Sequence, residues 1–140
     1  MTKAKPFLDS LIALLALVLA FVAAYWLDYV IWWLRQRASQ TFNYTFVLWA
    51  PPLAQLLLGA GLIGLVWWLA TRATFSRVID VVYVVAGLAA AFTIPLGFTT
   101  PINLMLFVRF ATGTISLWTM TGAALAAAGI YHFFRPRPIA

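Results

Sequence analysis

Apolar residues in this chain come in four long runs separated by short polar breaks. The first extends from Phe7 to Leu34 and is interrupted only by Asp9, Ser10 and Asp28; Arg35-Gln36-Arg37 ends it. The second runs from Phe46 to Ala70, with Pro51-Pro52 near its start and Arg72 just beyond it. The third covers Val78 to Phe98, with Asp80 in its first turn and Pro95 and Gly97 in its last. The fourth is clearest from Ala111 to Phe134, before Arg135-Pro136-Arg137-Pro138. Each run is apolar on every face for longer than the roughly 20 residues that cross a bilayer, which predicts spanning rather than amphipathic helices. The expected fold is an all-α integral membrane protein, a compact bundle of four transmembrane helices in one domain over residues 1–140, with spans near 8–34, 46–70, 78–98 and 111–134.

Two stretches fit this scheme less well. Residues 99–110 (TTPINLMLFVRF) are too apolar for an ordinary loop and too short to cross; they either lie along the interface or lengthen the fourth span. Pro51-Pro52 suits either the first turn of a helix or a kink in a longer one. A cleavable signal peptide is the rival reading of the first span, with Lys3 and Lys5 before Leu11–Leu19 and a small-residue site at Val22-Ala23-Ala24. The apolar character continues from Tyr25 through Leu34, and this favours an uncleaved span.

Composition narrows the function classes. Of 140 residues, 65% are hydrophobic and 9% charged, against about 25% charged in a soluble domain. This excludes a water-soluble globular protein, a nucleic-acid binder and an extramembrane catalytic module. There is no cysteine, so disulfides and thiolate metal sites are ruled out. The net charge of +6 resides in Lys and Arg at the ends of the runs, where anionic lipid headgroups are the natural partner. Lys3, Lys5, Arg72, Arg77, Arg135 and Arg137 fall on one side of a four-span layout, and Arg35, Arg37 and Arg109 on the other. The excess predicts both termini cytoplasmic in a plasma membrane, of the bacterial inner type. Tyr and Trp cluster near the run ends (Tyr25, Trp26, Tyr29, Trp32, Trp33, Tyr44, Trp49, Trp67, Trp68, Tyr131) as interfacial belts.

Small residues mark expected helix contacts: Ala13, Ala16, Ala20 and Ala23; Gly59, Ala60, Gly61 and Gly64; Ala86, Gly87 and Ala89–Ala91; and nearly the whole inner half of the fourth span, Gly122 to Gly129. The last set exceeds what one neighbour requires and leaves room for a partner.

Candidate chemistry is sparse. Asp9 and Asp80 lie near run ends beside Lys5 and Arg77, where they can be solvated or paired. Asp28 sits deeper, and Arg109 at the same level is its expected ion-pair partner. Gln55, Thr93, Thr112, Ser116 and Thr119 thicken the outer half with hydroxyls and could line a small outward-facing polar cavity with Asp28 and Arg109 at its mouth; alternatively, the hydroxyls bond neighbouring carbonyls without forming a site. His132 is the one imidazole, a weak candidate for a haem or chlorophyll ligand and otherwise an interfacial ring. No cofactor or metal is expected, and no triad, phosphate loop or paired-carboxylate motif suggests an enzyme. Two readings follow. The first is a non-catalytic accessory or assembly subunit that meets other membrane subunits or itself. The second is a small oligomeric transporter or channel using the polar cluster.

Overall fold

The computed structural model describes residues 4–71, 76–110 and 116–136. Among them the chain is helical throughout, without strands: α1 (Ala4–Thr41), α2 (Thr45–Thr71), α3 (Arg77–Ala91), α4 (Thr93–Thr99), a 3-10 turn (Leu104–Val108) and α5 (Leu117–Phe134). Helices α1 and α2 are each long and apolar enough to cross a membrane, and α3 with α4 makes a third if the pair is taken as one broken span. The chain is a helical membrane protein.

The first apolar run forms a single helix of 38 residues, about 57 Å at 1.5 Å per residue. That exceeds a hydrocarbon core of about 30 Å, so α1 continues past it through Trp32, Trp33 and the arginines to Thr41. Four of its buried positions, Leu17, Ala24, Ile31 and Ala38, recur every seven residues, with Ala13 and Asp28 four residues before Leu17 and after Ala24, and keep one side against the other helices. Phe42, at φ 55°, turns the chain sharply into α2, where the Asn43 side chain accepts the Thr45 N–H at 3.3 Å.

Pro51 and Pro52 lie inside α2, not at its start. They lack the N–H groups that would bond the carbonyls of Val47 and Leu48, so the first turns are held less firmly than the rest.

The third apolar run, expected as one helix over 78–98, is broken. Helix α3 stops at Ala91, and α4 departs from it at 72°. Two residues produce the break. Pro95 cannot donate to the carbonyl of Ala91. The Thr93 hydroxyl meanwhile reaches back to the carbonyls of Ala90 and Ala89 at 2.8 and 3.0 Å. A new helix then begins with Pro in its first turn, where its missing N–H does no harm.

Helix α5 starts at Leu117, six residues later than the run suggests; 111–115 lie outside the described residues. Residues 99–110 do not lengthen it, because they contain the separate 3-10 turn.

Helices α3 and α5 pack antiparallel with backbones nearly touching. A methyl group on Gly87 would lie 2.5 Å from the Ala126 nitrogen and 2.6 Å from the Gly122 carbonyl oxygen. One on Gly122 would lie 2.6 Å from the Ala91 nitrogen. The small residues of the fourth run are thus taken up largely by α3, with Leu117, Leu125 and Ala128 reaching the buried faces of α1 and α2. The core has two parts. Ala13, Leu17, Leu69, Ile79, Tyr83, Leu125 and Ala128 fill one end, and Ala24, Ile31, Ala54 and Leu117 the other.

Candidate functional site

Two polar assemblies are built into this apolar frame, one at each end of α5. At its N-terminus the first N–H groups have no partner within the helix and must find one elsewhere, since hydrocarbon supplies none. Ser116 and Thr119 form a capping box: the Ser116 hydroxyl accepts the Thr119 N–H at 3.2 Å, and the Thr119 hydroxyl accepts the Ser116 N–H at 3.3 Å. The two intervening donors go to α1. One carboxylate oxygen of Asp28 accepts the Leu117 N–H at 3.1 Å and the other accepts the Trp118 N–H at 3.2 Å. An anion from one helix thereby sits on the positive end of another.

This overturns the expected Asp28–Arg109 ion pair. Asp28 is 7% exposed and turned toward α5, while Arg109 is exposed and lays its guanidinium over the Phe110 ring, 5.6 Å from the centroid. The physical reason is that two convergent N–H groups at a helix start offer a carboxylate both hydrogen bonds and the helix dipole, with no need to bury a guanidinium. The rest of the polar group is dispersed. Ser116 and Thr119 direct their hydroxyls to the helix start, Gln55 is exposed on α2, and Thr112 lies outside the described residues.

Trp118, which the sequence reading did not single out, is the hub of this end. Its indole N–H donates to the Thr93 hydroxyl at 3.1 Å, tying α5 to the break between α3 and α4. Its ring stacks on Phe107 at 4.9 Å and 7° and leans on Phe21 at 4.9 Å. Beside it opens a groove of about 360 Å³ whose walls are apolar and aromatic. The signal that could have located the helix start is Ser116-x-x-Thr119 itself, a capping pattern that also reads, together with Thr112, as hydroxyls on one helix face.

At the other end of α5, His132 and Asp80 meet. The His132 Nδ1 lies 2.6 Å from an Asp80 carboxylate oxygen, and the two residues are only 6% and 1% exposed. The sequence predicts both at the interface, with Asp80 beside Arg77. In the structure Arg77 lies over the Phe133 ring instead, 5.3 Å from its centroid, and Asp80 turns inward. The antiparallel pairing explains this. It brings the first turn of α3, where an acidic group is favoured, against the last turn of α5, where an imidazolium is favoured. Among the described residues no group of three or more His, Asp or Glu side chains is arranged to hold a metal ion.

One turn further along α3, Tyr83 is buried and donates its hydroxyl to the carbonyl oxygen of Ala13 in α1 at 2.6 Å. Thr121, fully buried in α5, has no hydrogen-bond partner for its hydroxyl among the described residues. These two hydroxyls should respond oppositely to removal. Tyr83→Phe deletes a bond and is expected to cost about 1 kcal/mol. Thr121→Val deletes an unsatisfied group and should leave thermal stability in detergent unchanged or raise it by up to about 1 kcal/mol. Melting curves of the two variants beside the unaltered protein check both signs.

No family model, curated protein or solved structure matches the chain. What the site can do therefore rests on its own chemistry. Asp28 joins α1 to the start of α5, and Asp80 meets His132 between α3 and α5.

Proposed function

We propose that the chain is a non-catalytic accessory or assembly subunit of a larger membrane complex, and that it docks a transmembrane helix of a partner subunit on the outward face of α2. In this reading the chain crosses a bacterial plasma membrane four times with both termini cytoplasmic, as the excess of basic residues at that side supports.

The observation that carries the proposal is the contrast between two sets of glycines. Those of α3 and α5 are filled by neighbouring backbone. Those of α2, Gly59, Gly61 and Gly64, have nothing within 4 Å of where a side chain would begin. Only 11% of the apolar window of α2 is buried, against 22% for α1. Ala60 and Gly64, both exposed and one turn apart, make a shallow dent among Leu53, Leu56, Leu57, Ile63 and Trp67. Glycine in a helix interior costs about 1 kcal/mol relative to alanine and contributes little against acyl chains. Close approach of another helix offsets that cost. The transport reading ranks lower because Asp28, Ser116 and Thr119 are engaged at the start of α5.

Affinity purification in mild detergent tests the proposal. The unaltered chain is expected to bring down a stoichiometric set of larger membrane subunits. The A60L/G64L double variant should lose them by at least about tenfold, since ~1.4 kcal/mol of lost contact suffices, while remaining folded and monodisperse. Purification of the chain alone, or as a homo-oligomer indifferent to the double substitution, would sink the idea.

A further inference from the structure

We propose that the groove between α1, the 3-10 turn and the start of α5 is a binding site for one anionic phospholipid, with an acyl chain in the groove and the phosphate at Arg109. The groove is distinct from the docking face above, and α2 contributes no residue to it. Its walls come from Phe21, Val22 and Tyr25 of α1, Phe107 of the turn and Trp118 of α5. At about 360 Å³ and lined almost wholly by apolar and aromatic side chains, the open groove suits a flexible hydrocarbon chain lying along it.

The groove is also preformed. Trp118, at its base, is held by its backbone N–H on Asp28, by its indole N–H on Thr93 and by ring contacts with Phe107 and Phe21. A wall fixed from so many directions keeps its shape when empty, which lowers the ordering cost of binding.

Charge selects the headgroup. Arg109 directly follows the 3-10 turn, and its guanidinium rests on Phe110, whose ring contacts Tyr25 of the groove wall at 5.6 Å. The chain has three acidic residues. Asp9 and Asp80 belong to the other end, and Asp28 directs both oxygens to α5. Among the described residues no carboxylate pairs with Arg109, whose exposed guanidinium is open to an external anion. In a bilayer the available anion next to an acyl chain is a lipid phosphate carrying net negative charge.

Native mass spectrometry tests this on the whole chain, equilibrated in micelles containing equal amounts of phosphatidylglycerol and phosphatidylcholine. The expected result is one retained lipid with phosphatidylglycerol preferred. Arg109→Gln should lower that preference about fivefold, the effect of one basic contact at an anionic surface, and Arg109→Lys should restore most of it. Val22→Trp, at a position exposed to the groove, should fill the space and abolish retention of both lipids. Three results would each overturn the proposal: no lipid retained by the unaltered protein, equal retention of the two lipids, or a headgroup preference in Arg109→Gln equal to that of the unaltered protein.

Discussion

Gly87→Ala should destabilise the protein by about 2–3 kcal/mol, the upper part of the range for overpacking a filled interior, although alanine is the better helix former by about 1 kcal/mol. The single added carbon would lie 2.5 Å from one backbone nitrogen and 2.6 Å from one backbone oxygen of α5. Neither can swing aside as the end of a flexible side chain would. Helices α3 and α5 must therefore separate, and separation loosens everything their contact aligns: the Asp80–His132 pair, the Tyr83 hydroxyl on Ala13 and the buried leucine at 125. Gly122→Ala meets the same backbone from the other side, 2.7 Å from the Gly87 carbonyl. Once one methyl has pushed the helices apart, the second finds more room. The double variant should thus cost less than the sum of the singles, as expected for residues in contact. Gly64→Ala supplies the opposite sign: with nothing within 4 Å, it should gain up to about 1 kcal/mol from helix propensity alone. Thermal unfolding in one detergent, read by near-ultraviolet circular dichroism, compares all four. Gly87→Ala and Gly64→Ala shifting the midpoint in the same direction would contradict the close α3–α5 packing.

The same contrast explains which parts of the structure were legible in the sequence. Helix existence was readable from the apolar runs, because a chain with so few charges has few other ways to satisfy its backbone in lipid. The break after Ala91 was written in Pro95 and in a threonine two residues earlier, yet a proline near the end of a run also fits an ordinary helix terminus, so the 72° turn was not readable. The glycines of α3 and α5 resembled those of α2 in every local respect. Only the antiparallel pairing distinguishes a filled contact from an open one. The polar residues show the same limit. Asp28 stood out because a carboxylate deep in an apolar run needs a partner, and that inference was sound. Its partner was misassigned because charge is visible in a sequence, whereas the N–H groups of a helix start are carried by every residue. Asp80 and His132 each looked ordinary at the end of a run, and only their meeting makes them a buried pair.

Asp28→Ala is expected to be the most damaging single change at the end of the core around Leu117, with a loss of about 3 kcal/mol or more. The estimate adds two hydrogen bonds to an ionised acceptor, each worth about 1.5–3 kcal/mol, and allows for partial relaxation. Water would ordinarily rescue the two released N–H groups, but Leu117 is buried and the surroundings are apolar, so the donors stay unsatisfied. Asp28→Asn should fall between, because one amide oxygen can still accept from one of the two donors while its NH₂ group opposes the other. A double-mutant cycle separates this capping role from simple packing. Leu117→Pro removes one of the two donors at a position where proline is compatible with a helix start, at the expense of the leucine side chain. If the carboxylate acts through that N–H, Asp28→Ala should cost about 1.5 kcal/mol less in the Leu117→Pro background than in the unaltered protein. Arg109→Gln gives the complementary reading. It should change thermal stability by less than about 0.5 kcal/mol, as for a surface position, because the guanidinium has no share in holding Asp28. A large loss for Arg109→Gln together with no coupling between positions 28 and 117 would mean that Asp28 is held by charge pairing after all. The opposite pattern identifies a carboxylate on α1 as the cap of a helix that begins 89 residues later.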